Sequence, residues 1–237
     1  MIAFELAVQD DHGIDVAARL GVDRVELCSA LPLGGVTPSL GLIEAAAGAV
    51  PVHVLVRPRP GGFAYSAAEV VTTIRDVRHA IAAGAAGVVI GGLRDGRVDA
   101  DLVERAVSAA DGATVTFHRA FDMLADPVQA VEELIGLGVH RILTAGCPTV
   151  VADGLPGLRR LVDAAAGRLE IQAGGGVRPE LIPALVATGV PAVHASAKVI
   201  VQDSGGLTLG SAAKGSETGR ETTGEQIVLR IIEALRG

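Results

Sequence analysis

The sequence predicts a TIM (β/α)8-type barrel forming a single domain across residues 1–237. Three observations carry that prediction. Short β-branched runs alternate with Ala-rich segments, as in a parallel sheet crossed by helices. The alternation repeats eight times at roughly 22 to 35 residues, the length of a βα unit. Helix start and stop signals fall between the runs. Strands are expected at Ile2–Val8, Arg24–Cys28, Val52–Arg57, Gly87–Ile90, Thr114–His118, Arg141–Thr144, Leu169–Ala173 and Ala192–Ser196.

Each helix start has a local cause. Thr37-Pro38 and Asp126-Pro127 set a capping oxygen before a proline at the first helical position. Ser66-Ala67-Ala68-Glu69 reads as a capping box. Gly21, Gly84, Gly138, Gly167 and Gly189 stand where helices should stop. Residues 203–224 are rich in Gly, Ser and Thr and predict a long mobile loop, either a lid or a spacer. A final helix is expected over 225–235.

Composition narrows the function. The 237 residues are 49% hydrophobic and 2% aromatic, with no Trp, one Tyr and four Phe, so the core must be aliphatic. A net charge of −7 with interspersed signs argues against nucleic acid, which wants a basic face and stacking aromatics, and against anionic membranes. Met1–Val8 carries Glu5 without a basic lead-in and reads as a strand rather than a signal peptide; no apolar stretch suits a membrane span. Two cysteines, Cys28 and Cys147, fit reduced thiols in a cytoplasm.

Strand side chains alternate between faces, so the apolar parity should meet the helices and the other should enter the barrel. Phe4 and Leu6 outside turn Glu5 inward. Val25 and Leu27 outside turn Arg24, Glu26 and Cys28 inward. By the same rule His53, Leu55, Arg57, Thr116, His118, Gln172, His194 and Ser196 face in, as does Arg59 if strand three continues past Pro58, while strands four and six show no parity. Buried polar groups must pair or serve a ligand, because each unpaired one costs several kcal/mol. Cys28, Arg57, Arg59, His118, His194 and Ser196 lie at C-terminal strand ends, where barrel enzymes keep their sites. Arg24 and His53 lie lower, in a structural polar layer.

From these residues, His118, Glu26 and Glu5 are the candidate catalytic groups. His118 can exchange a proton near neutral pH when a carboxylate tunes it. Glu5 and Glu26 fit ion pairing equally well. Arg57 and Arg59, with Gly174, Gly175, Gly176, His194 and Ser196, are candidates for binding a small anionic ligand: arginine suits carboxylate or phosphate, and glycines let backbone amides approach an anion. Tight turns and neutralisation of nearby carboxylates are the structural alternatives. Copper(I) would favour Cys28 and Cys147, with Met1 and Met123 as the other soft donors. Strands two and six stand opposite one another, so one ion on both thiols requires a loop to reach across.

The motif series Arg24-Val-Glu-Leu-Cys28, Gly34-Gly-Val-Thr-Pro-Ser39, Val56-Arg-Pro-Arg59, Thr116-Phe-His-Arg-Ala-Phe-Asp122, Arg141-Ile-Leu-Thr144, Gly174-Gly-Gly-Val177 and His194-Ala-Ser196 resembles the CutC family. The resemblance implies a cytoplasmic, self-associating TIM barrel concerned with copper homeostasis through copper ion binding, with ligands on Cys28 and Cys147. The chain departs from the family pattern at Ala7-Val8, where Cys is frequent, and at Leu55-Val56, where Met-Ile is usual. It also has Ala145 for Ser and Lys198 for Arg. Losing soft donors while keeping Arg, His and Gly groups leaves an enzyme acting on a small phosphorylated or carboxylated substrate as the alternative.

Overall fold

The structure, a computed structural model, describes residues 2–202 and 219–237. Eight parallel strands close into a barrel: β1 (Ala3–Val8), β2 (Arg24–Leu27), β3 (Val52–Leu55), β4 (Gly87–Ile90), β7 (Thr114–Phe117), β8 (Arg141–Thr144), β9 (Glu170–Gly174) and β10 (Ala192–Ala195). Ring closure is the β1–β10 pairing, Glu5 opposite His194. The connecting helices are α1 (Asp11–Leu20), α2 (Leu40–Ala46), α3 (Ala67–Ala82), α4 (Ala100–Ala109), α5 (Pro127–Gly136), α6 (Leu155–Ala165) and α7 (Ile182–Val186), with α8 (Glu225–Arg236) last. A short hairpin, β5 (Leu93–Arg94) and β6 (Arg97–Val98), follows β4 and has no counterpart in the sequence reading.

The punctuation works largely as expected. Ser66 and Glu69 form the reciprocal capping box, Asp126 caps α5 ahead of Pro127, and all five stop glycines have positive φ. Thr37 differs. Ser39 caps α2, while the Thr37 hydroxyl exchanges hydrogen bonds with the Arg57 backbone, tying the β2 loop to the end of β3.

The expected loop over 203–224 is corrected at its end, and 203–218 fall outside the described residues. Residues Gly219–Thr223 form β12, antiparallel to β11 (Lys198–Gln202). The Thr222 hydroxyl donates to Asp10 and Gln9 donates to the Glu221 carbonyl, so this strand is fastened to the start of α1 and its threonines are buried.

Alternation sorts the two cores. Phe4, Leu6, Val25, Leu27, Val54, Val88, Ile90, Val115, Phe117 and Ile142 join the layer between strands and helices. A smaller apolar patch of Cys28, Leu55 and Val89 lies apart from it, inside the barrel. The two strands without visible parity are thereby resolved: Val89 and Arg141 are interior, Val88 and Ile142 exterior.

Candidate functional site

The lower barrel interior is a closed ionic network built on Glu5, a carboxylate only 1% exposed. One oxygen accepts from Arg24 Nε at 3.0 Å and lies 3.3 Å from His53 Nδ1; the other accepts from Gln172 Nε2 at 2.5 Å and lies 2.9 Å from His194 Nδ1. Arg24 also donates to Glu170 and Gln172, and Arg141 to Glu170 and Thr116. Burial alone would raise the Glu5 carboxyl; hydrogen bonds from His194 and His53 and nearby positive charge outweigh it and hold the group well below its ordinary range. Of the two uses open to Glu5, the geometry shows ion pairing. Arg24 and His53 occupy the expected structural layer, joined by Arg141 and Glu170, which the sequence reading did not single out.

Above this network is a cavity of about 280 Å³, at the C-terminal mouth of the barrel. Glu26, Cys28, Leu55, Leu143 and His194 form its floor and sides; Leu31, Gly34 and Gly35 come from the β2 loop; Arg57, Phe63, His118 and Arg119 complete its rim. His194 links the two levels, since its Nε2 lies 3.4 Å from Glu26. Burial pushes the Glu26 carboxyl up to about 7, reinforced by the charge of Glu5 and opposed by His194. Burial works against the charged form of His194, but Glu26 and Glu5 outweigh it and raise its pKa.

His118 is the first residue after β7 and caps a short 3-10 turn, Arg119–Met123. Its Nδ1 accepts the Ala120 backbone N–H at 3.1 Å, so the neutral ring carries its proton on Nε2, and that buried atom has no hydrogen-bond partner. Burial, then the Arg57 charge, lowers its pKa to about 3. The ring is therefore a neutral N–H donor at neutral pH. Gly91 makes room for it: a Cβ there would stand 2.4 Å from the imidazole.

Arg57 spends its Nη atoms on carbonyls, Nη1 to Leu33 and Gly35 and Nη2 to Gly61, and its buried Nε is unpartnered. Among the described residues no carboxylate pairs with it, which leaves a buried cation at the rim. Phe63 lies against both orphaned groups, its ring 5.2 Å from Arg57 Cζ and 4.8 Å from the His118 ring.

Other expected site residues lie elsewhere. Arg59 turns away after Pro58, pairs with Glu69 and binds carbonyls of its own loop. Gly174 packs on Leu143 and His194. Gly175, at φ +107°, lies under the Arg119 guanidinium, which a Cβ would meet at 2.8 Å. Arg119 is itself paired with Asp122, whose carboxylate also receives the Thr144 hydroxyl and the Ala145 and Cys147 N–H groups. Neither these glycines nor Ser196 walls the cavity. Arg119 and Asp122 were missed, though both stand inside the His118–Asp122 motif.

Among the described residues the soft donors do not converge, and Met1 lies outside them. Cys28 walls the cavity, its thiol donating to the Val8 carbonyl at 3.5 Å, and burial raises its pKa well above the ordinary value. Cys147 sits half-buried on the β8 loop outside that cavity, and Met123 is exposed. Among the described residues the cluster with metal-ligand spacing is Glu5, Glu26 and His194, with ligand atoms within 4.8 Å of one another and no cysteine. Both Glu5 oxygens already have partners, so an ion there would have to break the network.

Fold and mouth together define the class: a (β/α)8 barrel whose polar interior opens at the C-terminal strand ends. The CutC family model matches residues 2–199. The chain belongs to the CutC family. It is 41% identical over 198 residues to a family protein CutC of Glaesserella parasuis, covering 82% of each chain. It is 40% identical to the human copper homeostasis protein cutC homolog, covering 85% of this chain and 75% of that one. The structure of a Streptococcus agalactiae protein described as a copper homeostasis protein CutC superposes with a TM-score of 0.79 at 30% identity, covering 83% of this chain and 99% of that one. Among the described residues no helix is long and apolar enough to cross a membrane.

Proposed function

We propose that this chain is a barrel enzyme that binds a small carboxylate- or phosphate-bearing substrate in its mouth and moves a proton on it. The observation that carries the reading is the pair of buried, unpartnered donors, Arg57 Nε and His118 Nε2, beside one cavity. Leaving such groups unpaired costs about 1–3 kcal/mol each, a cost that a ligand oxygen would remove. Arg57 supplies the charge that attracts an anion. His118, held neutral with its proton on Nε2, serves as a hydrogen-bond donor to developing negative charge rather than as a base. Glu26, titrating near 7, is the group suited to accept and return a proton. Glu5 and His194 act through Glu26 as positioning residues. Thermal denaturation with millimolar phosphate or butanoate tests this: stabilisation by either anion that disappears in Arg57→Ala supports the site, and no effect of either anion counts against it.

A second reading is copper binding. Its support is the name carried by relatives and the presence of Cys28 in the same cavity. One thiol is a sparse Cu(I) site, so a further ligand would come from a second copy of the chain, in keeping with the self-association and cytoplasmic location that the family resemblance suggests. Stoichiometric Cu(I) uptake lost in Cys28→Ser supports it; uptake unchanged in that variant rules it out.

A further inference from the structure

We infer that the mouth takes a small 2-oxo carboxylate and catalyses its reversible enolisation, with Glu26 as the base and His118 Nε2–H as the donor to the enolate oxygen. This rests on the anion-site reading above and narrows it to a substrate class.

Charge selects carboxylate over phosphate ester. Arg57 is the one uncompensated cation on the cavity wall among the described residues; Arg119, the other arginine there, is neutralised by Asp122 and lies over Gly175, where a backbone phosphate cradle would form. The same wall carries Glu26. A dianion would meet one free positive charge and a carboxyl group that repels it once ionised, whereas a monoanion is matched by Arg57 alone. The cavity, about 280 Å³, is at the lower limit for ligand pockets, which suits a molecule of few atoms.

Two kinds of group then remain for a neutral part of the ligand. His118 directly follows β7, which stands three strands round the ring from β2, the strand that carries Glu26. A carbonyl next to the carboxylate would bring its oxygen to the unpartnered Nε2–H. The carbon on its other side would then lie toward Glu26. Phe63 lines the same cavity beside both residues, its ring 5.2 Å from Arg57 Cζ and 4.8 Å from the His118 ring, and gives the ligand an apolar wall.

The step balances without any co-reactant. The C3–H bond of the 2-oxo acid breaks and its proton passes to the Glu26 carboxylate. The bonding pair becomes the C2–C3 double bond, and the carbonyl π pair moves to oxygen as an enolate, held by His118 Nε2–H. Return of a proton from Glu26 to C3 reverses the step.

The probe is 2-oxobutanoate in D2O, with loss of its C3 proton signal followed by NMR and its binding measured separately by calorimetry beside phosphate and butanoate. Expected are exchange well above the buffer rate, loss of the enzymatic part in Glu26→Gln, and a fall of about 100-fold in His118→Asn. Binding of 2-oxobutanoate by the wild-type protein without exchange overturns the enolisation and leaves the anion site standing. Preferential binding of phosphate overturns the substrate class. Failure to bind any of the three anions overturns the anion site and this inference with it. Exchange undiminished in a folded Glu26→Gln overturns the assignment of the base.

Discussion

The protonation state of His118 can be tested by stability alone, without a ligand. In the folded chain the imidazole is 6% exposed, its Nδ1 holds a backbone N–H, and burial together with Arg57 brings its pKa from 6.5 to about 3. In the unfolded chain it protonates near 6.5. A depressed folded pKa gives stability that is complete above the unfolded value and is lost as pH falls toward the folded one. At pH 5, about 1.5 pH units below the unfolded pKa, the unfolded state gains about 2 kcal/mol from protonation that the native state cannot share. The assay is urea unfolding of the wild type and His118→Asn at pH 7.5 and pH 5. The variant has its own constant cost, but its loss on acidification should be smaller by about 2 kcal/mol than that of the wild type. Parallel losses, equal within about 0.5 kcal/mol, would refute a buried neutral His118.

Other perturbations probe separate parts of the structure. Glu5→Ala strands Arg24 and His53 in the barrel interior and should cost about 3–5 kcal/mol in chemical denaturation. Asp122→Asn weakens the hydrogen bonds to Thr144, Ala145, Cys147 and Arg119 and should cost about 2 kcal/mol; unchanged stability would show that the β8 loop does not depend on this carboxylate. Gly91→Ala drives a methyl into the His118 ring and should shift the imidazole NMR signals of His118 while leaving those of His53 in place. In Glu26→Gln a carboxyl with a raised folded pKa is removed. That group adds stability below about 4.5 that is lost as pH rises through about 7, so the variant should gain on the wild type between pH 5 and 8.

Much of the barrel was legible because period-two alternation survives in β1, β2, β3 and β7: the apolar parity of Phe4, Leu6, Val25 and Leu27 is what sent Glu5, Glu26 and Cys28 inside. The signal failed where the pattern is blank. Arg141-Ile-Leu-Thr144 has no alternating polarity, so Arg141 and its partner Glu170 went unnoticed, and Val88-Val89 are alike in sequence but face opposite cores. It failed again where the strand stops. Past Pro58 the chain leaves the sheet, and parity no longer says that Arg59 will bind Glu69 rather than a ligand. Arg119 and Asp122 sit in a 3-10 turn, where neither period applies. The glycines after β9 looked like an anion cradle because glycine permits close approach, yet what approaches Gly175 is the chain's own Arg119.

In the proposed site Arg57 and a neutral His118 together hold an anion in the barrel mouth. Long-range 1H–15N NMR of the histidine side chains, recorded with and without 2-oxobutanoate, tests it most directly. The prediction is that at pH 7 His118 is neutral with its proton on Nε2, that added 2-oxobutanoate shifts its Nε2 signal, and that Arg57→Ala removes the shift. A charged His118, a proton on Nδ1, or a Nε2 signal that does not respond to the ligand would contradict it.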